Sequence, residues 1–539
     1  MTATTALPRH LQRYADAGVW EDLTLGDHAR MRAAAVPDTV VFLTDPDQPT
    51  YASLLAEGEA LARSLIELGL RPGDVIGFQV PNWTEAAVIN LAASLGGFVV
   101  SPIVPIYRDR EVQQMLADGG ARAFFVAETF RNYDFAAMVE RIRPALPALE
   151  QVVLVRPVNA PDGYKALIEH GRTLNLPLPK VDPNAVKLLL YTSGTTGKPK
   201  GVLHSANTLY RVAKVSAQNN ATGEQDVTLM PSPVTHISGY SGGLEKPFVL
   251  GSRTVLMEAW NAAIAVELID RFHVTSTVAA TPFLQELCDA AAASGSTLPS
   301  FRRFACGGAA VPAELVRAAN KRLAHPCAFR VYGSSEVPLV SQGLMPETNP
   351  DAAADTDGVA NDYELRIVDD HGQTVAEGAD GEILARGPAM FLGYLDPAHT
   401  VEAIDADGFF ATGDIGHVRP DGALVITGRK KDLIIRGGEN ISAKEIEDVL
   451  HKHPAIREAA VVSMPHARLG EGICAYVIAH EGHALTFDEV AAFVIADGLA
   501  KQKTPEHVEF VSDLPRTASG KIRKDMLRAQ IREQLAAAG

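Results

Sequence analysis

The chain has 539 residues, 47% of them hydrophobic and 21% charged, a balance ordinary for a globular protein with a substantial core. At about 150 residues per domain this suggests three or four folding units, which large α/β enzymes often merge. A net charge of −16 argues against nonspecific nucleic-acid binding, which needs a basic surface. Anionic ligands must therefore be held by local clusters of Lys, Arg and N–H groups.

The opening "MTATTALPRHLQRY" lacks the apolar core of a signal peptide. The cysteines Cys288, Cys306, Cys327 and Cys474 show no metal-ligand spacing and read as reduced thiols of a cytoplasmic protein. "DVIGFQV" (74–80) reads as a strand before the helical "TEAAVINLAASLG". The most apolar stretch, 86–107, is broken by Asn90, Ser94, Gly96, Gly97, Ser101 and two prolines. It reads as a buried helix and then a buried strand, not a membrane span. "RAFFVAE" (122–128) precedes another helix, and "QVVLV" (151–155), "RTVLM" (253–257) and "VTSTVAA" (274–280) read as short buried strands. Such alternation implies parallel sheets covered by helices, which bind ligands at the carboxyl ends of their strands.

Between two apolar strand-like runs lies "YTSGTTGKPKG" (191–201). Glycines permit close backbone approach, hydroxyls and free N–H groups donate hydrogen bonds, and lysines bring positive charge. Together they suit a polyphosphate, against the plainer reading of a flexible surface turn. It is not a Walker loop, which needs a glycine five residues before Gly-Lys and then Ser or Thr. Here Thr192 stands at the first place and Pro199 at the second.

The C-terminal section, from "DGALVITGRKKDLIIRGGENISAKEIEDVLHKHP" (421–454), reads as an extended run interrupted by "GRKKD". Ser442 is expected as a helix N-cap, with Glu445 completing a capping box and Ile441 and Ile446 forming a hydrophobic staple. "REAAVVSMP", "GICAYVIA" and "HVEFVSDLP" complete a compact α+β unit of about 110 residues. We expect a large domain over 1–428, a hinge at 429–432 and a small domain over 433–539.

The loop resembles the phosphate-binding signature of the adenylate-forming superfamily: acyl-CoA synthetases, luciferases and the adenylation domains of peptide synthetases. Further matches follow in the family's order: "YGSSE" (332–336), "GEILARGP" (381–388), "TGD" (412–414), "GRKKDLI" (428–434), "GGENISAKEIE" (437–447) and "PRTASGKIRK" (515–524). The resemblance spans roughly 50 to 530 and implies an α/β fold. A large multi-subdomain N-terminal region, with parallel sheets covered by helices, would carry a small mobile α+β C-terminal domain.

The resemblance also implies roles. Thr192, Ser193, Gly194, Thr195, Thr196, Gly197 and Lys198 would hold the ATP phosphates, with Lys200 closing the loop and Thr196 counted as catalytic. Gly308, Tyr332, Gly333, Ser334 and Ser335 would line the nucleotide site, with Tyr332 stacked on adenine. Ser335 stands where many members have Thr. Glu336 would hold Mg²⁺, a hard cation that prefers carboxylate and phosphate oxygens. Asp414 would accept both ribose hydroxyls, and Arg429 would meet ribose or phosphate. Lys521 would stabilise the charge that builds where carboxylate attacks α-phosphate. Lys431 occupies the hinge position. Gly437, Gly438 and Glu439 would face the CoA channel. His236 would sit at the mouth of the acyl pocket and act in adenylation; Thr235 stands where an aromatic residue is common. Gly239, Tyr240, Gly307 and Gly308 would wall that pocket, where little side-chain bulk leaves room for a ring. The competing view is that these glycines serve helix packing.

No acid occupies 235–237, where amino-acid-activating members hold the ammonium, and no insertion interrupts 428–447 as in fatty acyl-AMP ligases. These features imply a carboxylic acid–CoA ligase using ATP, Mg²⁺ and CoA on a small-molecule, cyclic or aromatic acid. The alternatives are a medium- or long-chain fatty acid, or an acyl-AMP ligase loading a separate carrier protein. A non-catalytic nucleotide binder is disfavoured by the presence of Lys521, Asp414, Arg429 and Glu336. A homodimer is left open, and no transmembrane segment and no nucleic-acid partner are expected.

Overall fold

The computed structural model describes residues 7–192, 199–517 and 520–538. Two parallel-stranded sheets organise the N-terminal region. One has seven strands in the order Gly393–Tyr394, Lys200–His204, Leu188–Thr192, Val99–Pro102, Val75–Gln79, Ala121–Ala127, Gln151–Val155. Its last five run parallel, while Lys200–His204 pairs antiparallel with both neighbours. The other has five parallel strands: Arg253–Leu256, Val227–Met230, Ser276–Ala279, Arg303–Gly307 and Ala328–Val331.

The expected α/β class is what the structure has. The 86–107 stretch forms the helix Thr84–Gly96 and the strand Val99–Pro102. Every residue of that helix from Ala86 onward is buried. A helix apolar all round belongs inside a protein, and this one packs against the helix Tyr51–Glu67. No helix among the described residues is long and apolar enough to cross a membrane.

A four-stranded antiparallel sheet follows, Glu364–Val368, Gly381–Arg386, Phe410–Val418 and Leu424–Arg429. The β/α alternation gave no sign of it. After Arg429 the chain makes a 3₁₀ turn, Lys430–Asp432, and enters a separate C-terminal sheet. There Leu433–Arg436 and Glu439–Ser442 form a hairpin closed by Gly437 and Gly438, both at positive φ. A two-residue turn of that hand matches the strand twist and all but requires glycine.

Ser442 caps the helix Ala443–Leu450 as expected, its hydroxyl accepting from the Glu445 N–H at 3.3 Å and donating to the Thr427 carbonyl at 2.6 Å. The capping box is only half formed. Lys503 draws the Glu445 carboxylate away, with oxygens at 2.7 and 2.6 Å. Ile441 and Ile446 both lie in the small domain's core.

Candidate active site

The site residues cluster where the strands of the N-terminal region end. Strand Leu188–Thr192 ends at the glycine-rich segment 193–199, strand Arg303–Gly307 at Gly308, and strand Ala328–Val331 at Tyr332. This is the carboxyl edge, as expected for an open α/β sheet. Ser193, Gly194, Thr195, Thr196, Gly197 and Lys198 lie outside the described residues. The loop's flanks are described: the Thr192 hydroxyl lies 3.5 Å from the Lys200 carbonyl across the hairpin.

The turn 332–336 is built by close approach and a hydroxyl. A Cβ on Gly333 would fall 2.4 Å from the Leu339 nitrogen. The Ser334 hydroxyl accepts from the Val337 N–H at 3.3 Å. Beneath it, buried His204 donates from Nε2 to the Ser335 carbonyl at 2.7 Å, with Nδ1 facing the Thr208 hydroxyl at 3.0 Å. Donation to a carbonyl requires the Nε2–H tautomer. Burial pulls the His204 pKa down to about 4, so the ring is neutral at pH 7. Sequence reasoning missed His204, because its partner is a backbone carbonyl 131 residues away.

Asp414 is aimed by a bulge. Register shifts in strand Phe410–Val418, and Gly413 has φ +71. Such a bulge re-aims a side chain beside a site. Asp414 is buried, its Oδ2 accepting from the Tyr332 hydroxyl at 2.7 Å and its Oδ1 lying 2.7 Å from Arg429 Nε. Asp414 and Arg429 stand directly opposite each other in the sheet. Glu336 Oε1 accepts from the Tyr394 hydroxyl at 2.8 Å, and Oε2 has no protein partner among the described residues.

Lys521 reaches this cluster from the C-terminal domain. The turn that carries it is closed by Thr517 N–H to the Lys521 carbonyl at 2.7 Å. Gly520 abuts Ala280, Pro282 and Phe283, and a Cβ on Gly308 would lie 3.6 Å from Lys521 Cε. Burial lowers the Lys521 pKa to about 8; Arg429 and Lys431 add to the shift, while Asp414 and Glu336 oppose it. Burial, with Lys521 adding, holds His236 down to about 3. His236 is thus neutral here, not a cation.

The Lys521 pKa has a testable consequence. In the free enzyme its cation is lost as pH rises through about 8. The kcat/KM for adenylate formation, which reports free-enzyme ionisations, is expected to fall with that midpoint. Bound ATP, an anion, favours the cation, so the fall in kcat is expected at higher pH. A pH–rate profile of pyrophosphate release checks both; a flat kcat/KM from pH 7 to 9.5 contradicts them.

Of the expected acyl-pocket residues, Tyr240 is engaged in the core, and Gly239 and Gly307 sit where backbones pack closely. Tyr240 is fully buried, and its hydroxyl donates to Asn90 at 2.6 Å and accepts from Lys187 at 2.9 Å. Lys187 also pairs with Glu245 at 2.6 Å. With no accessible surface, the Tyr240 ring cannot line a substrate cavity. A Cβ on Gly239 would lie 2.0 Å from the Pro233 carbonyl oxygen, and one on Gly307 2.4 Å from that of Val331. Both positions answer to close backbone packing. Gly437, Gly438 and Glu439 are exposed at the hairpin turn, and the Gly437 N–H bonds to the Leu469 carbonyl at 2.9 Å. The structure does not bring them to the cluster around Lys521. Lys431 is exposed in the 3₁₀ turn.

Residues 29–395 match the family model of AMP-binding enzymes, and residues 445–521 that of the AMP-binding enzyme C-terminal domain. The medium-chain fatty-acid–CoA ligase of Escherichia coli (strain K12) is 34% identical over 530 residues, covering 97% of this chain and 93% of that protein. The 2-hydroxy-7-methoxy-5-methyl-1-naphthoate–CoA ligase of Streptomyces carzinostaticus is 32% identical over 536 residues, covering 96% and 95%. Among solved structures, the anthranilate CoA ligase AuaEII in complex with anthranoyl-AMP superposes with a TM-score of 0.86 at 25% identity, covering 96% of this chain and 98% of that one. The chain belongs to the AMP-binding enzyme family, the adenylate-forming superfamily that its motifs resemble.

Proposed function

We infer that the protein is an ATP-dependent carboxylic acid–CoA ligase working in two steps. The observation that carries this reading is the convergence of Lys521, Asp414, Arg429 and Glu336 beside Gly308 at the strand ends. In the first step a carboxylate oxygen attacks the α-phosphorus of ATP. The bond to pyrophosphate breaks, and an acyl-adenylate forms. Asp414 would accept the ribose hydroxyls, exchanging its bond to Tyr332 for them, and Tyr332 would stack on adenine. The Lys521 ammonium meets the negative charge shared by the two reacting groups, in a buried place where a fixed cation acts strongly. In the second step the CoA sulfur attacks the adenylate carbonyl. The thiol proton is lost and AMP leaves.

A magnesium ion fits this site. Glu336 Oε2 has no partner among the described residues, and a hard cation takes one or two carboxylates plus phosphate oxygens. When bound, Mg²⁺ supplies charge neutralisation to the phosphates. Lys521 and the hairpin turn 437–440 cannot both serve one centre, so we place a hinge at 429–432, about Lys431. The bounds 1–428 and 433–539 follow from it. A cytoplasmic setting would supply both ATP and CoA.

We read the acid as ring-bearing, in line with the naphthoate and anthranilate ligases among its relatives. The medium-chain ligase at 34% identity supports a fatty acid as the second reading. The test is pyrophosphate release across linear, alicyclic and aromatic acids, each with and without CoA, with products weighed by mass spectrometry. A CoA thioester from a ring acid is expected. An adenylate that accumulates whether or not CoA is present would move the protein to the carrier-loading class.

A further inference from the structure

Glu336, in the turn after strand Ala328–Val331, and Lys200, at the start of strand Lys200–His204, come from different segments of the chain. Among the described residues neither forms an ion pair. What both touch is Tyr394. Its hydroxyl donates to Glu336 Oε1 at 2.8 Å, and the Lys200 ammonium lies 5.2 Å from its ring centroid, within cation–π range.

The segment around Tyr394 is fixed from several sides. Tyr394 pairs with Val202 in the strand that follows the phosphate loop. The Leu392 N–H bonds to the Leu203 carbonyl at 2.8 Å, and the Leu395 N–H to that of Gly201 at 2.7 Å. The Phe391 N–H bonds to the Glu336 carbonyl at 2.8 Å. The Tyr394 N–H bonds to the Thr400 hydroxyl at 2.8 Å. The Tyr394 and Phe391 rings meet edge to face, centroids 4.9 Å apart, a geometry that holds the rotamer.

We propose that Tyr394 is a positioning residue for adenylation. Its hydroxyl occupies one oxygen of Glu336, so that the other would be available to the metal, and its ring lies against the Lys200 ammonium. One side chain thus orders an anion and a cation without letting them neutralise each other. Groups that orient a metal-binding carboxylate typically change metal affinity by about 10- to 100-fold when removed. The proposal rests on the reading of Glu336 as the metal-binding carboxylate, and the test separates the two.

Tyr394→Phe keeps the ring and its contact with Lys200 and removes only the hydroxyl. Mn²⁺ binding is followed by electron paramagnetic resonance with a non-hydrolysable ATP analogue present. Thermal unfolding and the KM for the acid are measured alongside. Tyr394→Phe is expected to weaken Mn²⁺ binding about tenfold, with the unfolding temperature and the acid KM unchanged. If Tyr394→Phe binds Mn²⁺ like the unmodified protein while Glu336→Gln loses it, the proposal is wrong and the metal reading stands. If Glu336→Gln also binds Mn²⁺ normally, the metal reading falls and takes the proposal with it. A uniform loss of metal affinity, acid affinity and stability in Tyr394→Phe would mark a packing role and overturn the proposal.

Discussion

Lys521→Ala is expected to cut pyrophosphate release by roughly a hundred- to thousandfold, the usual effect of removing one preorganised group from a transition-state charge. Thioester formation from a chemically prepared acyl-adenylate and CoA is expected to survive. The prediction follows from geometry. Lys521 comes from the C-terminal domain, passes beside Gly308 and lies within the fields of Arg429, Asp414 and Glu336. In the proposed mechanism the ammonium meets the reacting anions in this arrangement, and the second step needs no cation there. Stability is expected to hold. The pKa of Lys521 is lower in the folded chain than the ordinary 10.5, so the fold binds this proton less tightly than the unfolded chain does. The charged lysine therefore costs stability below about pH 8, and that cost fades between about 8 and 10.5. Removing it relieves the fold at neutral pH. The two half-reactions measured separately decide the matter, and equal loss in both would refute the role.

Lys431→Pro is expected to give the opposite split: adenylation within a few-fold of normal, and thioester formation reduced by about two orders of magnitude or more, as for a change that blocks a site-assembling motion. Lys431 lies at the centre of the 3₁₀ turn Lys430–Asp432. Backbone φ in such a turn is near −50 to −70°, and proline locks φ near −65°. The substitution fits the arrangement that brings in Lys521 and hinders departure from it. Asp432 helps hold this arrangement, because Arg528 of the C-terminal helix bonds to its carboxylate at 2.9 Å. Single-turnover measurement of each step, with and without CoA, is the check. Unchanged overall turnover would show that the chain does not pivot at Lys431.

Local features were legible from the residues. The strands at 74–80, 122–128, 151–155, 253–257 and 274–280 lie where their apolar runs lie, within a residue or two. The Ser442 cap follows from a side-chain oxygen that acts over four residues or fewer, whereas the Gly437–Gly438 hairpin turn was not read from the sequence. The ordered motifs suffice to identify the family. Their limits also have physical causes. Nothing near Glu445 in sequence announces Lys503, which undoes the capping box. Small residues at 239 and 307 suggested an open wall, yet a Cβ at either would strike a carbonyl, that of Pro233 or of Val331. Tyr240 looked available to a ring, but its hydroxyl belongs to a buried network with Asn90, Lys187 and Glu245.

By itself, then, the sequence determined the β/α alternation, the Ser442 cap, and the family with its reaction class, since each depends on short-range periodicity, a local side-chain contact or a fixed order of motifs. The tertiary structure decided what faces what. It set Asp414 opposite Arg429 through a bulged antiparallel sheet, brought Tyr394 to Glu336 across 58 residues, and carried Lys521 into the cluster from another domain. Such pairings arise from strand register and domain placement, which depend on burial summed over the whole chain and leave no mark on any one stretch of it.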